Sequence, residues 1–327
     1  MQPTLSLSTA WCSHRHTDGY AMLREMADLG FTHVELSHGV RITLVPGILK
    51  ALEEGVIQVG STHNFCPLPP GVNQAAPNLY ECSSRDGRER EQWLRYTKRS
   101  LDFAAQIKAR VLVCHLGSVV FFWLNPVRHL ERHLRYHPEA GRRGDADYKA
   151  LAEKAVAKLR KRMGPFWDNT RASILKVLDY AKERNVKLAF ENREKFEELP
   201  VDPDFGQLFS GLPAGAFAGY WHDTGHAEIK QDLGLLEQRL QLTANESRLL
   251  GFHLHDVSAD GHDHQPVGSG KIDFQMISEF WRPHQILVLE LGPKTTVDEV
   301  KSSKARIEAL LQWRGFPRPS ADAGRKE

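Results

Sequence analysis

Leu250-Gly251-Phe252-His253-Leu254-His255-Asp256 is a short apolar run that ends in side chains able to bind a metal ion. Residues 188–192, 220–226 and 287–290 repeat this pattern, at intervals of about 30 to 40 residues. Consecutive strands with such endings would point their carboxyl ends at one spot. That arrangement is typical of the top face of a (β/α)₈ barrel, where sites of this fold are built.

The overall composition fits one large α/β domain without general affinity for nucleic acid or membranes. The chain has 327 residues, of which 41% are hydrophobic, and this is enough for a large core. Lys and Arg number 43 against 41 Asp and Glu, so the net charge of +2 gives no electrostatic attraction to polyanions. No apolar stretch reaches the roughly 20 residues that a membrane helix needs.

The cysteines and the N-terminus favour a cytoplasmic protein. The first residues, Met-Gln-Pro-Thr-Leu-Ser, lack the basic and apolar regions of a signal peptide. Four cysteines without Cys-x-x-Cys spacing indicate reduced thiols, and these are Cys12, Cys66, Cys82 and Cys114.

Strand-like and helix-like segments alternate along the chain, which predicts a single parallel barrel of eight βα units. The predicted strands cover residues 5–10, 33–36, 57–61, 110–114, 187–190, 218–222, 250–254 and 286–289. The predicted main helices cover residues 18–29, 44–54, 89–108, 169–184, 233–242, 274–280 and 297–313. We therefore expect one barrel domain over residues 1–315 and a flexible polar tail over residues 316–327.

The regular spacing breaks after the fourth strand, where residues 119–165 are predicted to form a helical insertion. It begins with Phe121, Phe122 and Trp123 and ends with an amphipathic helix. Residues 121–165 carry 11 Lys and Arg against 5 Asp and Glu, so the insertion is locally basic. Because it follows a strand end, we expect Trp123 to contact substrate from a wall above the site.

Glu191, Asp223, His253 and Glu290 follow the apolar runs of strands 5 to 8 and form the central site hypothesis. Each residue alone has an ordinary interpretation, since Asp223 suits a helix N-cap and His253 suits a buried core position. Four in succession favour a site for a divalent ion such as Mn, Co, Mg or Zn. An ion that binds adjacent carbonyl and hydroxyl oxygens acidifies the C–H between them, and Glu191 and Glu290 would remove and return that proton.

Further polar residues stand at equivalent places around the predicted barrel. Glu35 ends strand 2 and His14 follows strand 1, so we expect both to contact substrate. Those after strands 3, 4, 6 and 7 are candidates for additional metal ligands or for contacts to substrate hydroxyls, and these are His63, His115, His226, His262 and His264.

Together these motifs resemble the xylose isomerase-like TIM-barrel superfamily, which contains sugar isomerases and epimerases, inosose dehydratases and the endonuclease IV family. The resemblance covers nearly the whole chain. It rests on Val34-Glu35-Leu36, Thr62-His63-Asn64-Phe65-Cys66-Pro67, His115-Leu116-Gly117, Phe190-Glu191-Asn192, Asp223-Thr224-Gly225-His226-Ala227, His253-Leu254-His255-Asp256, residues 263–270 and Leu289-Glu290. In the epimerase-like members the matching Glu, Asp, His and Glu bind one divalent ion, and the two Glu act as acid and base. The resemblance implies these roles for Glu191, Asp223, His253 and Glu290.

The endonuclease IV branch implies a larger centre, in which three zinc ions use eight matching positions. In this chain they are His63, His115, Glu191, Asp223, His226, His253, His264 and Glu290. One position departs from the pattern, because the nuclease has Asp two residues before the matching His and this chain has His262. We therefore expect one ion, and the resemblance leaves up to three open.

The main hypothesis is a metal-dependent isomerase or epimerase of a small sugar, sugar phosphate or polyol. The alternatives are an endonuclease IV-like multi-zinc phosphodiesterase or hydrolase, a related dehydratase, and a barrel without catalytic activity. A nucleic acid enzyme needs a basic groove, which the near-neutral chain disfavours despite its basic insertion. A barrel without activity is disfavoured because a buried carboxylate cluster is costly without a cation. Homo-oligomers are common in the superfamily, so a homo-oligomer would be in keeping with the resemblance.

Overall fold

A computed structural model describes residues 2–122 and 124–317 as a closed barrel of eight parallel strands. The strands pair in chain order, and the first closes on the eighth. They are β1 Thr4–Ser8, β2 His33–Leu36, β3 Gln58–His63, β4 Val111–Cys114, β5 Lys187–Glu191, β6 Ala218–Asp223, β7 Leu249–Leu254 and β8 Ile286–Leu289. The predicted fold, a (β/α)₈ barrel with a helical insertion after strand 4, is confirmed.

Helices surround the barrel and bury their apolar faces on the outside of the sheet. Within the described residues they are α1 Gly19–Asp28, α2 Val45–Glu53, α3 Gly87–Gln106, α4 Val127–Tyr136, α5 Ala140–Arg143, α6 Ala146–Glu183, α7 Phe205–Ser210, α8 Thr224–Asp232, α9 Gln238–Asn245, α10 Phe274–Ser278 and α11 Val297–Trp313. None of these helices combines the length and the apolarity that a bilayer crossing requires.

Inward-facing side chains at alternate strand positions fill the barrel interior. The apolar layer consists of Val111, Val113, Ala189, Trp221, Ile286 and Val288. Because side chains alternate with a period of two, the next inward positions on β5, β6 and β8 lie two residues further on. They are Glu191, Asp223 and Glu290, so the same alternation that fills the core also carries three carboxylates to the top of the barrel.

The last helix of the insertion and the fourth barrel helix form one continuous helix, α6, rather than the two separate helices predicted. Helix α6 runs for 38 residues with Pro165 inside it, although an internal proline removes a backbone hydrogen bond and normally interrupts a helix. Buried residues recur every three or four positions on both sides of Pro165, from Tyr148 to Ala181. One apolar stripe thus packs along the whole helix, and this packing offsets the lost hydrogen bond.

The single helix predicted at residues 233–242 is wrong. Helix α8 ends at Asp232, before this range, and α9 begins at Gln238 within it, with residues 233–237 between the two helices. Helix α8 begins directly after β6 because the carboxylate of Asp223 accepts a hydrogen bond from the backbone N–H of His226. It ends before Gly234, whose φ of +62° continues no α-helix.

The strand ends also lie slightly differently from the prediction. Strand β3 extends to His63, which is therefore the last residue of a strand, and β1 ends at Ser8 before a 3₁₀ turn, Thr9–Trp11. The four cysteines are buried and unbridged, as their spacing indicates. The predicted tail lies outside the described residues from position 318 onward.

Candidate metal centre

Four side chains from four consecutive strands meet at the top of the barrel. Atom Nδ1 of His253 lies 2.7 Å from Oε1 of Glu191, 3.0 Å from Oε2 of Glu290 and 3.7 Å from Oδ2 of Asp223. All four residues are buried, and one ligand atom from each fits within 4.8 Å of the others. These four residues are called the central group below. Three carboxylates around one imidazole provide the donor set that a divalent ion prefers.

Glu35 holds the imidazole of the central group from behind. Its two carboxylate oxygens lie 3.1 and 3.2 Å from Nε2 of His253, and they accept hydrogen bonds from the hydroxyls of Ser8 and Ser61. Glu35 is fully buried, so it lies below the site, whereas the sequence predicted that it contacts substrate. An Nε2–H that donates to Glu35 leaves Nδ1 of His253 facing the three carboxylates. This carboxylate–histidine arrangement is common behind metal ligands.

The charges of the central group attract positive charge strongly. Burial alone would raise the pKa of Glu191, but His253 and hydrogen bonds from His115 and His63 hold it well below its usual range. Burial alone would lower the pKa of His253, yet Glu290, Glu35 and Glu191 raise it well above its ordinary value. A divalent cation at Nδ1 would satisfy the same carboxylates, so the residues present fit a metal ion.

A second set of ligands lies beside the first and shares Glu191. Nε2 of His115 lies 2.8 Å from Oε2 of Glu191, and Nε2 of His63 lies 3.4 Å from the same oxygen. Both imidazoles are buried, and they meet edge to face. This β4-side group (His63, His115 and Glu191) could hold another ion, with Glu191 as a bridging ligand.

A third set of ligands contains Asp263, which the sequence interpretation did not select. Oδ2 of Asp263 lies 3.7 Å from Nε2 of His226 and 3.6 Å from Nε2 of His264. His262, the predicted candidate, faces outward instead, with 74% of its side chain exposed and Nδ1 3.0 Å from Asp260. The α8-side group (His226, Asp263 and His264) is therefore complete without His262.

Four of these histidines share one orientation, in which Nδ1 faces an oxygen outside the cluster. The partners of Nδ1 are the carbonyl of Asn64 at 2.8 Å from His63, the side-chain oxygen of Asn78 at 2.7 Å from His115, the carbonyl of Asn192 at 3.1 Å from His226 and the carbonyl of Glu290 at 3.0 Å from His264. An Nδ1–H that donates there leaves Nε2 of His63, His115 and His264 free to bind a metal. Nδ1 of His226 also lies 3.3 Å from Nη1 of Arg193, a group that can only donate. Burial and the charge of Arg193 lower the pKa of His115 to about 3, and burial lowers that of His226 to about 4, so both are neutral at pH 7.

His255 lies next to the central group and contacts two residues of the motif Asp223-Thr224-Gly225-His226, namely Asp223 and Gly225. Its Nδ1 accepts the backbone N–H of His264 at 2.8 Å, so its Nε2 carries a proton and donates to Oδ2 of Asp223 at 2.9 Å. The ring also packs against Gly225, where an added Cβ would come within 2.2 Å of it. His255 can also be grouped with His264 and Glu290, but with both nitrogens occupied it positions ligands rather than serving as one.

The segment Gly268-Ser269-Gly270, after β7, lies in a turn that packs on the carboxylate of Asp256. Asp256 accepts the backbone N–H groups of Gly268 and Ile272 at 3.0 and 3.2 Å. Gly268 has a φ of +82°, and a Cβ at Gly270 would meet Asp256 at 2.4 Å, so both positions require glycine. The turn holds the segment that carries His264 over the site.

Arg193 is a buried cation beside the centre. Its guanidinium lies 3.3 Å from Glu191 and 3.4 Å from Glu198, and it is only 7% exposed. Burial alone would raise the pKa of Glu198, but Arg193 lowers it to about 2. Arg193 thus forms ion pairs with Glu191 and Glu198 at the same time.

A cavity of about 450 Å³ opens onto the central and α8-side groups, and Glu290 and His264 line it. Its other walls come from the loops after β1, β2 and β3, including His14, His38 and Arg41. The volume is in the range of small-molecule sites. His14 thus lies where the sequence places a substrate contact, while Trp123 lies outside the described residues.

Several residues of the site were missed by the sequence interpretation. Asp263, His255, Arg193 and Asn78 contact candidate metal ligands but lie in loops or next to more conspicuous histidines. His38 follows β2, is half-buried, packs edge to face on His63, and has an Nδ1 with no hydrogen-bond partner among the described residues. The sequence offered one signal for Asp263, namely its position next to His264. That signal does not decide the matter, because a loop residue beside a candidate ligand can face toward the site or away from it.

The site occupies the top of a barrel that a family model described as xylose isomerase-like TIM barrel matches over residues 23–310. The chain belongs to the xylose isomerase-like TIM-barrel family. A comparison with functionally curated proteins gives no significant match to this xylose isomerase-like chain.

Solved sugar epimerases share the fold of this xylose isomerase-like protein. An L-ribulose 3-epimerase superposes with a TM-score of 0.67 at 13% identity, covering 96% of this chain and 95% of its own. A D-tagatose 3-epimerase-like protein gives 0.64 at 15% identity, covering 96% and 98%. The D-psicose 3-epimerase from Clostridium cellulolyticum H10 gives 0.64 at 12% identity, covering 95% and 99%. At these identities the likeness establishes the fold.

Proposed function

We propose that the protein is a divalent-metal-dependent isomerase or epimerase. It would remove and return a proton at a carbon next to the carbonyl group of a small sugar or of a polyol that carries a keto group. The observation that carries the proposal is the central group, where Glu191, Asp223, His253 and Glu290 converge at the edge of a cavity. The sugar epimerases with the same fold are in keeping with it.

The central group would supply both the metal site and the proton-transfer groups. A divalent ion bound there would polarise a carbonyl and make the adjacent C–H more acidic. Glu290 lines the cavity, so its carboxylate can reach a substrate carbon and take a proton from it. Glu191 is enclosed by His253, His115 and Arg193. It would give its own carboxyl proton to the opposite face of the same carbon. Glu290 would then release the proton it removed to solvent through the cavity, and Glu191 would take up a new proton from solvent.

The test measures metal content and C–H exchange on the same preparation. Protein purified without chelator is analysed by metal mass spectrometry, and D-tagatose, D-psicose and L-ribulose are incubated with it in D₂O. We expect deuterium to enter at the carbon next to the carbonyl of at least one ketose, and chelation to stop the exchange. An absence of exchange in protein with its full metal content would argue against the proposal. Loss of water from a product that has exchanged would indicate the dehydratase alternative.

A second candidate function is hydrolysis of a phosphodiester or another ester by a centre of up to three ions, as in the endonuclease IV branch. It is favoured by the β4-side and α8-side groups, which are both complete. It is also favoured by the outward-facing Nδ1 atoms of His63, His115 and His264, which leave the Nε2 atoms of these residues available as ligands.

A matched pair of variants tests this candidate. Asp263→Asn removes a carboxylate from the α8-side group, whereas His262→Asn, one residue away, changes a side chain that faces outward. For a three-ion centre we expect Asp263→Asn to lower the metal content by about one ion per chain, with no change for His262→Asn. Hydrolysis of bis(p-nitrophenyl) phosphate should fall in parallel. Equal metal content in both variants would exclude Asp263 as a ligand.

A further inference from the structure

One cation of the cavity wall belongs to none of the metal-ligand groups. Arg41 lies after β2, directly before the 3₁₀ turn Ile42–Leu44, and lines the same cavity as Glu290 and His264. It is half-buried, so its guanidinium is partly shielded from bulk water.

The guanidinium of Arg41 is only partly satisfied by the protein. Nη2 donates to the carbonyl oxygens of Ser13, at 3.3 Å, and of His16. The Nε and Nη1 donors have no partner in the described part of the chain, and no carboxylate there pairs with Arg41. A guanidinium has five N–H donors in a fixed planar fork, so an edge suited to a carboxylate or phosphate remains available.

Among the described residues, the remaining wall offers no anion that would neutralise Arg41. The other polar residues that line it there carry hydroxyl, amide or imidazole groups, and the one carboxylate among them, Glu290, belongs to the central group. A ligand that binds the central group through its oxygens therefore meets one unpaired cation elsewhere in the same cavity.

We propose that the substrate is an acidic sugar or polyol whose phosphate or carboxylate group is bound by Arg41. This inference rests on the proposed function, because it takes the cavity beside the central group as the substrate site. It names Arg41 as the residue that distinguishes acidic substrates from neutral ones of the same carbon skeleton.

Arg41 also joins the loop after β1 to the segment after β2, and the test must separate this structural role from anion binding. Loss of the structural contacts would weaken the binding of neutral and acidic ligands alike. Loss of an anion site would weaken only the acidic ligand, so the ratio of the two affinities is the informative quantity.

The experiment measures binding to the full chain with its native metal content by isothermal titration calorimetry. The probes are D-fructose, D-fructose 6-phosphate and D-fructuronate, which compare a neutral ketose with a phosphorylated and a carboxylated one. Wild type, Arg41→Gln, Arg41→Lys and the control Arg24→Gln are compared. Arg24 is an exposed residue of α1 that pairs with Asp28, and it is not one of the residues that line the cavity.

We expect wild type to bind at least one acidic probe more tightly than D-fructose. Arg41→Gln should lower the acidic-to-neutral affinity ratio by about tenfold or more, since a charge-assisted contact is lost. Arg41→Lys should restore part of the ratio, and Arg24→Gln should retain it. Preference for the phosphate or for the carboxylate probe identifies the acidic group.

Two results would overturn the inference. One is the absence of any acidic preference in wild type, including no measurable binding of the acidic probes. The other is an equal ratio in wild type and Arg41→Gln. Because binding is measured apart from turnover, a protein that binds acidic probes through Arg41 but exchanges no C–H would contradict the proposed reaction and leave the anion site standing.

Discussion

The two halves of the barrel contribute to the site in different ways. Strands β5 to β8 each provide one member of the central group, from the strand itself or from the residue directly after it. In the other half, β2 provides Glu35 as a support behind His253, and the loops after β1 and β2 provide His14 and Arg41 to the cavity wall.

This difference separates a rigid centre from an adaptable wall. A ligand on a strand has its direction fixed by the hydrogen-bonded ladder and by the alternation of side chains. A residue on a loop can be replaced or moved without disturbing the barrel, so loops are where a fold changes its specificity. We therefore expect variants of β5–β8 to affect reaction and metal, and variants of the loops after β1 and β2 to affect the choice of substrate. His63 at the end of β3 and His115 after β4 belong with the candidate metal ligands.

The largest effect is expected for Glu290→Gln, which keeps the size of the side chain but removes the proton-accepting charge at the cavity. We expect kcat to fall by about 10²- to 10⁴-fold while the melting temperature stays near that of wild type. The matched control is Glu279→Gln, a surface glutamate paired with Arg239. Retained turnover in Glu290→Gln would remove this residue from the proton-transfer role.

An intermediate effect is expected for Glu35→Gln, which tests whether the β1–β4 half contributes to the metal through His253. An amide accepts the Nε2–H of His253 less strongly than a carboxylate, so metal affinity should fall by about 10- to 100-fold. Competition with a fluorescent chelator measures this affinity, and Glu53→Gln on the exposed side of α2 is the control. Unchanged affinity would mean that Glu35 supports only packing.

The smallest effect is expected for His14→Ala, at the exposed edge of the cavity. Loss of one neutral hydrogen bond to substrate should raise KM by about two- to tenfold, with kcat and metal content unchanged. His284→Ala, an exposed histidine before β8 at the other end of the barrel, is the control. A fall in metal content in His14→Ala would contradict the division between the two halves.

The sequence predicted the strands well because each combines a short apolar run with a polar end, and most predicted boundaries lie within a few residues of the observed ones. It failed at residues 233–242, although the cap by Asp223 that starts α8 is a local signal that the sequence contains. It also failed at Pro165, where long-range packing outweighs a local helix breaker. Local patterns do not record such long-range packing.

The amino-acid sequence by itself determined the eight βα units and the order of Glu191, Asp223, His253 and Glu290 on consecutive strands. The reason is that periodicity and strand-end polarity are local properties that each segment carries without its neighbours. Only the tertiary structure decided that Asp263 rather than His262 faces the centre and that Glu35 lies behind His253. It alone also decided that Arg41 has no counter-ion within residues 2–122 and 124–317. These depend on how loops and facing strands meet in space, and sequence spacing does not record the direction of a loop side chain.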